Sequence, residues 1–129
     1  MKIIGIGCDI VQIHRIKTIY SSQKEKFLQR IFSQNELSII PNTHDMINYI
    51  AKRYAAKEAF SKAAGCGIGK QMKFCEIEVF RYENGQPYFS EKTLKLLGQN
   101  MSAFLSLSDD DPLAIAYVIL CKNLDIQNI

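Results

Sequence analysis

The sequence contains no apolar stretch long enough to cross a membrane. Its longest such run, Leu113–Cys121, has nine residues, whereas a spanning helix needs about 20. The amino-terminal segment carries Lys2 and Asp9 and lacks the long apolar core and small-residue cleavage site of a secretory signal. We therefore expect a soluble, cytoplasmic protein that does not bind membranes.

Patterns typical of zinc sites and disulfide frameworks are also missing. No two of the four cysteines form a C-x-x-C pair, and the only histidines, His14 and His44, lie far apart in the sequence. This scatter disfavours a structural metal or a disulfide-stapled fold. The cysteines are interpreted as small, partly buried apolar residues in a reducing compartment: Cys8, Cys66, Cys75 and Cys121.

What the chain does contain suits one globular domain spanning residues 1–129. It has a mass of 14.7 kDa and is 47% hydrophobic and 22% charged, which excludes a disordered protein. The net charge of +3 is unevenly distributed. Residues 1–73 hold 12 Lys and Arg against 5 Asp and Glu, whereas residues 74–129 hold 4 against 8. The basic half is either an ordinary solvated surface or a surface for a phosphorylated ligand, an acidic protein or nucleic acid.

The first half of the sequence predicts one buried strand followed by helices. Residues 2–11 are apolar and β-branched, and Gly5 and Gly7 mark places where a backbone or a ligand comes close. One or two short helices are expected between Arg15 and Arg30, and Ser33–Glu36 forms a capping box at the start of another. The longest helical pattern runs from about residue 45 to residue 64 and ends at Gly65.

The second half predicts strands joined by tight turns, because alternating apolar residues are separated by turn-forming pairs such as Asn84-Gly85. The expected fold class is α+β, a mostly antiparallel sheet packed against one long central helix and several short helices. The elements expected here are strands over 75–82, 87–89, 102–108 and 113–121 and a small helix over 90–97.

Two carboxylates and a lysine are the candidates for chemistry. Asp9 interrupts an apolar strand, so its charge needs a cation, a metal or several donors, unless it simply ends the strand beside Arg15. Glu58 and Lys62 lie four residues apart on the long helix, which is also the spacing of a common surface ion pair. If Asp9 and Glu58 meet, a divalent cation would relieve their repulsion, and Lys62 could hold a phosphate oxygen. Such a set suits chemistry at a pyrophosphate.

The glycines match no standard nucleotide fingerprint. Gly5-x-Gly7 lacks the third glycine, and the Gly65–Lys70 turn follows a helix instead of preceding one. That turn is either part of a ligand site or a plain helix stop.

Two segments closely resemble the two signatures of the holo-acyl-carrier-protein synthases, a family of 4′-phosphopantetheinyl transferases. They are residues 4–16 (IGIGCDIVQIHRI) and residues 53–63 (RYAAKEAFSKA). The likeness continues through Gly65-x-Gly67-Ile-Gly69 and the hairpin around Asn84-Gly85. It covers nearly the whole chain in order.

The resemblance implies an enzyme that moves the 4′-phosphopantetheine arm of coenzyme A to a serine of apo acyl carrier protein, for fatty acid synthesis. Adenosine 3′,5′-bisphosphate is released, and Mg²⁺ is required. A homotrimer with active sites between subunits is implied as well. The implied roles are metal binding by Asp9 and Glu58, catalysis by Glu58 and Lys62, coenzyme A binding by Arg53, Ser61, Lys62, Gly65 and Ser108, and docking of the acidic carrier protein by Arg15, Lys24, Lys26 and Arg30.

Two positions depart from the family pattern. Asp109 stands where relatives usually have a histidine thought to help hold the coenzyme, and Tyr54 stands where Phe or Trp is common. The first departure leaves open a degenerate homologue that binds carrier protein without transfer. A basic nucleic-acid-binding module is the alternative from another class, but it explains neither Asp9 nor Glu58, and the aromatic and basic pattern of RNA-reading motifs is missing.

Overall fold

The computed structural model describes residues 1–124, and within them the fold is α+β with a mainly antiparallel sheet, as expected. The long helix predicted at residues 45–64 is confirmed and is the largest helical element. The elements are β1 (Lys2–Gln12), α1 (Ile13–Gln23), α2 (Glu25–Ile31), α3 (Gln34–Leu37), α4 (Met46–Ala64), a 3₁₀ turn (Phe74–Glu76), β2 (Val79–Arg81), β3 (Pro87–Phe89), α5 (Glu91–Lys95), β4 (Met101–Asp110) and β5 (Leu113–Lys122).

The main sheet has three antiparallel strands in the order β1-β5-β4, so the first strand pairs with the last. The register places Asp9 opposite Ala116, which in turn lies opposite Leu107 of β4. A separate hairpin, β2-β3, turns at Asn84-Gly85, where Gly85 has a φ of 92°. No described helix is both long and apolar enough to span a bilayer.

Helix α4 lies against one face of this sheet, which we call the inner face. Gly5 and Gly7 of β1 are the points of closest approach: a Cβ at Gly5 would collide with the carbonyl oxygen of Ala63, and one at Gly7 with that of Ala59. The close neighbour of the two glycines is therefore the backbone of α4. The helix ends where Gly65 adopts the left-handed conformation, with a φ of 81°.

Helix α4 is buried on nearly all sides, and one of its fully buried residues is a lysine. The Lys57 ammonium donates to Glu36 Oε1 and to the Ile31 carbonyl, each at 2.6 Å, and to the Phe74 carbonyl at 3.1 Å. The other Glu36 oxygen accepts from the Val79 amide at 3.0 Å. This pair ties α2, α3, the 3₁₀ turn and β2 to the central helix.

The expectation of a buried strand at residues 2–11 is only half right. One face of β1 meets α4, but the opposite face of the sheet, the outer face, is not covered by any described part of the chain. Five of its apolar side chains are exposed by 39–58%. They are Ile6 and Ile10 of β1, Phe104 of β4, and Ile115 and Tyr117 of β5. Apolar composition predicted burial, but one helix can cover only one face of a sheet.

The strand expected over residues 75–82 is also shorter than predicted. The chain makes a 3₁₀ turn at Phe74–Glu76, and β2 begins only at Val79. Side chains take the backbone groups that a longer strand would have paired: the Thr93 hydroxyl accepts from the Glu78 amide at 2.7 Å and donates to the Glu76 carbonyl at 3.1 Å. A side chain that is distant in the sequence thus competes with strand pairing here.

Candidate active site

Asp9 and Lys62 meet between β1 and α4. The Lys62 ammonium lies 2.9 Å from Asp9 Oδ1 and 3.2 Å from the Cys8 carbonyl. The Asp9 side chain is 14% exposed, whereas that of Lys62 is 52% exposed. Asp9 therefore pairs with a lysine from the facing helix, although the sequence had also allowed a partner at the end of its own strand.

Glu58 lies one turn before Lys62 and is electrostatically coupled to Asp9. Burial raises the pKa of the Glu58 carboxyl, and the negative charge of Asp9 raises it further; Lys62 and Arg15 oppose the shift. The pKa remains above the ordinary glutamate value, so Glu58 holds a proton more readily than an exposed glutamate does. A carboxylate with a raised pKa is suited to accept a proton from a substrate near neutral pH.

Tyr54 belongs to the same cluster. Burial raises the pKa of its phenol, and the charge of Glu58 raises it further. Its ring packs against Phe74 at a centroid distance of 4.9 Å. The aromatic body expected at this position therefore packs on the 3₁₀ turn and lies near Glu58.

The four residues predicted to dock an acidic partner are all exposed on α1 and α2 or between them. Arg15 lies close enough to lower the pKa of Glu58, and Arg15 and Arg30 both lower that of Tyr54. The basic surface therefore reaches Glu58 through Arg15. It consists of Arg15, Lys24, Lys26 and Arg30.

Arg53 lies elsewhere, in a cleft of about 770 Å³ formed by α4, the β2-β3 hairpin and the end of β4. Its guanidinium sits 4.7 Å from the centre of the Tyr49 ring, and the residue is only 5% exposed. Within residues 1–124, its Nη1 is a buried donor with no hydrogen-bond partner. A buried guanidinium with a free donor is an incomplete site, and an anion such as a phosphate would complete it.

The remaining predicted coenzyme contacts are spread over the chain. The Ser61 hydroxyl is fully buried and donates to the Glu58 carbonyl at 2.8 Å. Gly65 is open, with no atom within 4 Å of the position of a Cβ. Ser108 is exposed on the outer face, across from Ile115. Asp9 and Arg53 lie toward opposite edges of the β1-β5-β4 sheet, so one subunit does not bring all the predicted residues together.

Donors for a metal are limited to carboxylates. Among the described residues there is no group of three or more His, Cys, Asp and Glu side chains that could hold a metal ion. Asp9 and Glu58 supply two carboxylates on facing elements. Magnesium commonly binds to one or two carboxylates and completes its six oxygens with water and substrate phosphates, so this donor set fits Mg²⁺.

Sequence reasoning missed a polar network inside the Arg53 cleft. The carboxylate of Asp109 accepts a hydrogen bond from Asn48 at 3.0 Å and forms an ion pair with Lys52 at 3.1 Å. Position 109 was singled out as unusual, but its partners are 61 and 57 residues away in the sequence. Nothing in the local pattern connects them, because they meet only when α4 crosses the end of β4.

Comparison with known proteins places these features in context. The chain matches the 4′-phosphopantetheinyl transferase superfamily over residues 5–118. A holo-acyl-carrier-protein synthase from Ruthia magnifica is 46% identical over 122 residues, which cover 92% of this chain and 96% of the relative.

Solved structures of holo-acyl-carrier-protein synthases share this fold. The holo-acyl-carrier-protein synthase of Neisseria meningitidis superposes with a TM-score of 0.84 at 37% identity, covering 93% of this chain and 99% of that one. A holo-acyl-carrier-protein synthase from Bacillus anthracis in complex with coenzyme A (3′,5′-ADP) gives a TM-score of 0.82 at 34% identity, with coverage of 95% and 100%.

Proposed function

Since the chain belongs to the 4′-phosphopantetheinyl transferase superfamily, and within it to the holo-acyl-carrier-protein synthases, it transfers 4′-phosphopantetheine from coenzyme A to apo acyl carrier protein, and we propose that Asp9, Glu58 and Lys62 form its reaction centre. The observation that carries this assignment is the convergence of the two carboxylates and the lysine between β1 and α4. Fatty acid synthesis in the cytoplasm is the proposed setting.

Asp9 and Glu58 are proposed to hold Mg²⁺. When bound there, the ion supplies positive charge against the diphosphate of coenzyme A. Lys62 then has two roles. It pairs with Asp9, and its half-exposed ammonium can turn toward a phosphate oxygen and neutralise charge that develops on the leaving group.

The transfer is proposed as an in-line displacement. The serine oxygen of the carrier protein attacks the β-phosphorus of coenzyme A, and the bond from that phosphorus to the bridging oxygen breaks. The electron pair leaves with adenosine 3′,5′-bisphosphate. The serine proton passes to the Glu58 carboxylate, which lies beside Asp9 and Lys62. Ser61 stabilises the helix at this site, because its buried hydroxyl donates a hydrogen bond to the Glu58 carbonyl.

The Arg53 cleft is proposed to hold an anionic group of a coenzyme A molecule whose diphosphate lies at the Asp9 and Glu58 carboxylates of a neighbouring subunit. The free Nη1 of Arg53 is the donor, and Gly65 and Ser108 would line the path between the cleft and the carboxylates. A homotrimer with active sites between subunits would bring these separated residues together.

The outer face of the sheet, which residues 1–124 leave uncovered, supports a homotrimer. The exposed apolar side chains on this face come from all three strands, and exposed apolar patches mark protein interfaces. We expect light scattering to give three chain masses at micromolar concentration. Tyr117→Asp, which places a charge in the middle of the patch, is expected to give a single chain mass.

One assay tests the function. The protein is incubated with Mg²⁺, coenzyme A and apo acyl carrier protein, and the carrier is weighed by mass spectrometry. We expect a gain of one phosphopantetheine, lost when EDTA removes the metal. A carrier that binds without gaining mass would indicate a degenerate homologue. A carrier that neither binds nor gains mass would reopen the nucleic-acid alternative.

Charge reversal at Lys24 and Lys26 tests the docking surface. The double variant Lys24→Glu/Lys26→Glu is expected to raise the KM for carrier protein about tenfold or more at low salt, because an acidic partner loses its attraction to the surface beside the site. Affinity for coenzyme A should not change, as titration calorimetry would measure. Charge reversal at Lys92 and Lys95 of α5 is the matched control. The opposite pattern would place docking elsewhere.

A further inference from the structure

The Arg53 cleft contains its own negative charge at the place where an anionic ligand would bind. Asp109 lies at the end of β4 and uses both carboxylate oxygens: Oδ1 is 3.1 Å from the Lys52 ammonium, and Oδ2 accepts from Asn48 at 3.0 Å. The hydrogen bonds from Asn48 and Lys52 hold the pKa of Asp109 below its ordinary value, so this group is ionised at neutral pH.

Asp109 changes the charge balance of the cleft. The charged residues that line it are three cations, Lys52, Arg53 and Arg81, and two carboxylates, Asp45 and Asp109. The Lys52 ammonium is about one-third exposed and is already paired with Asp109. Among residues 1–124, Arg53 alone offers a buried side-chain donor with no protein partner. The cleft is therefore less cationic than its lysine and arginines suggest.

We propose that Asp109 sets the ligand affinity of this cleft: it pairs with Lys52 and leaves an anion to be held weakly, by Arg53. This inference rests on the proposed function, in which that anion is a phosphate of coenzyme A. Asp109 thus limits affinity both for coenzyme A and for the product adenosine 3′,5′-bisphosphate, which carries the same adenosine phosphates. Weaker product binding favours product release.

Asp109→Asn removes the negative charge of this side chain but nearly keeps its shape. The asparagine side chain keeps an oxygen that accepts from Asn48, but it no longer neutralises Lys52. We expect the Kd for adenosine 3′,5′-bisphosphate to fall about fivefold or more at low salt, and the gain to shrink as salt screens it. Asp110→Asn is the matched control, because Asp110 is exposed on the next residue of the same strand. Its Kd should equal that of the wild type.

Lys52→Met completes a double-mutant cycle. Alone it should weaken binding, because it leaves Asp109 unpaired in the cleft. Combined with Asp109→Asn it should return the Kd to within about twofold of the wild type, since the pair is then removed without a change in net charge. Calorimetry on the intact protein with coenzyme A and with adenosine 3′,5′-bisphosphate measures all four corners. If the asparagine variant does not fold, Asp109→Ser repeats the measurement.

Weaker binding by Asp109→Asn, or no change, would overturn the inference, because Asp109 would then orient Lys52 toward the ligand or lie apart from it. In that case the wild type would still bind coenzyme A and modify the carrier protein, and the proposed function would stand. A wild type that binds no coenzyme A at all would overturn both.

Discussion

Glu58→Gln is expected to lower the turnover of carrier protein by about two to four orders of magnitude. The amide has nearly the shape of the carboxylate, but it cannot accept the serine proton and is a poorer ligand for Mg²⁺. Glu58 is only partly buried on the edge of α4, so the fold should be retained. Initial rates by mass spectrometry, with circular dichroism to confirm folding, measure the effect.

Glu91→Gln provides the control for Glu58→Gln, because Glu91 is exposed in α5 and should keep full turnover. Asp9→Asn should also be strongly impaired, since it removes the other carboxylate of the pair. Near-wild-type turnover in Glu58→Gln would remove this residue from the reaction centre and, with it, the proposed route for the proton.

Lys57→Met is expected to lower the free energy of unfolding by about 3–5 kcal/mol. The substitution keeps much of the side-chain volume but leaves the Glu36 carboxylate buried without its cation, and Glu36 is only 1% exposed. It also leaves the carbonyls of Ile31 and Phe74 without the ammonium donor. Urea unfolding followed by circular dichroism gives the free energy.

A double variant distinguishes the lost charge pair from lost packing. Lys57→Met/Glu36→Gln should be less destabilised than the sum of the two single variants, because no unpaired charge stays buried. Lys95→Met, at an exposed lysine in α5, should change stability by less than about 0.5 kcal/mol. A loss of under about 1 kcal/mol in Lys57→Met would show that Glu36 does not depend on Lys57.

Local patterns predicted the elements that are determined locally. The Ser33–Glu36 capping box forms with both of its hydrogen bonds, at 3.2 and 3.0 Å. Helix α4 begins within one residue of its expected start. It ends at the expected residue because Gly65 supplies the left-handed stop. The Asn84-Gly85 turn joins β2 to β3 as expected. In each case the residues that fix the structure are neighbours in the sequence.

Features that depend on distant residues were predicted less well. The alternation from Cys75 to Val79 indicated a strand, but Thr93 takes the backbone groups of residues 76 and 78. The apolar β1 indicated burial on both faces, but residues 1–124 cover only one of them. Sequence periodicity does not state how many layers will pack on a sheet.

The candidate site also has one part that the sequence indicated and another that depends on distant residues. Residue chemistry allowed Asp9, Glu58 and Lys62 to form one site but also allowed a strand end and a surface ion pair. The structure brings Asp9 to Lys62 at 2.9 Å and couples it to Glu58. The role of Arg53 came only from the family resemblance. Its isolation in a cleft with Lys52 and Asp109 depends on the crossing of α4 over β4, which no local pattern encodes.

The two glycines of β1 set the geometry of the proposed reaction centre without contributing a functional group. With no side chain at Gly5 or Gly7, the strand rests on the carbonyls of Ala63 and Ala59, and this contact fixes how far Asp9 stands from Glu58 and Lys62. A single methyl group at Gly7 would have to push the two elements apart. In a mutational scan, both glycines would therefore rank with the catalytic positions, although neither touches substrate.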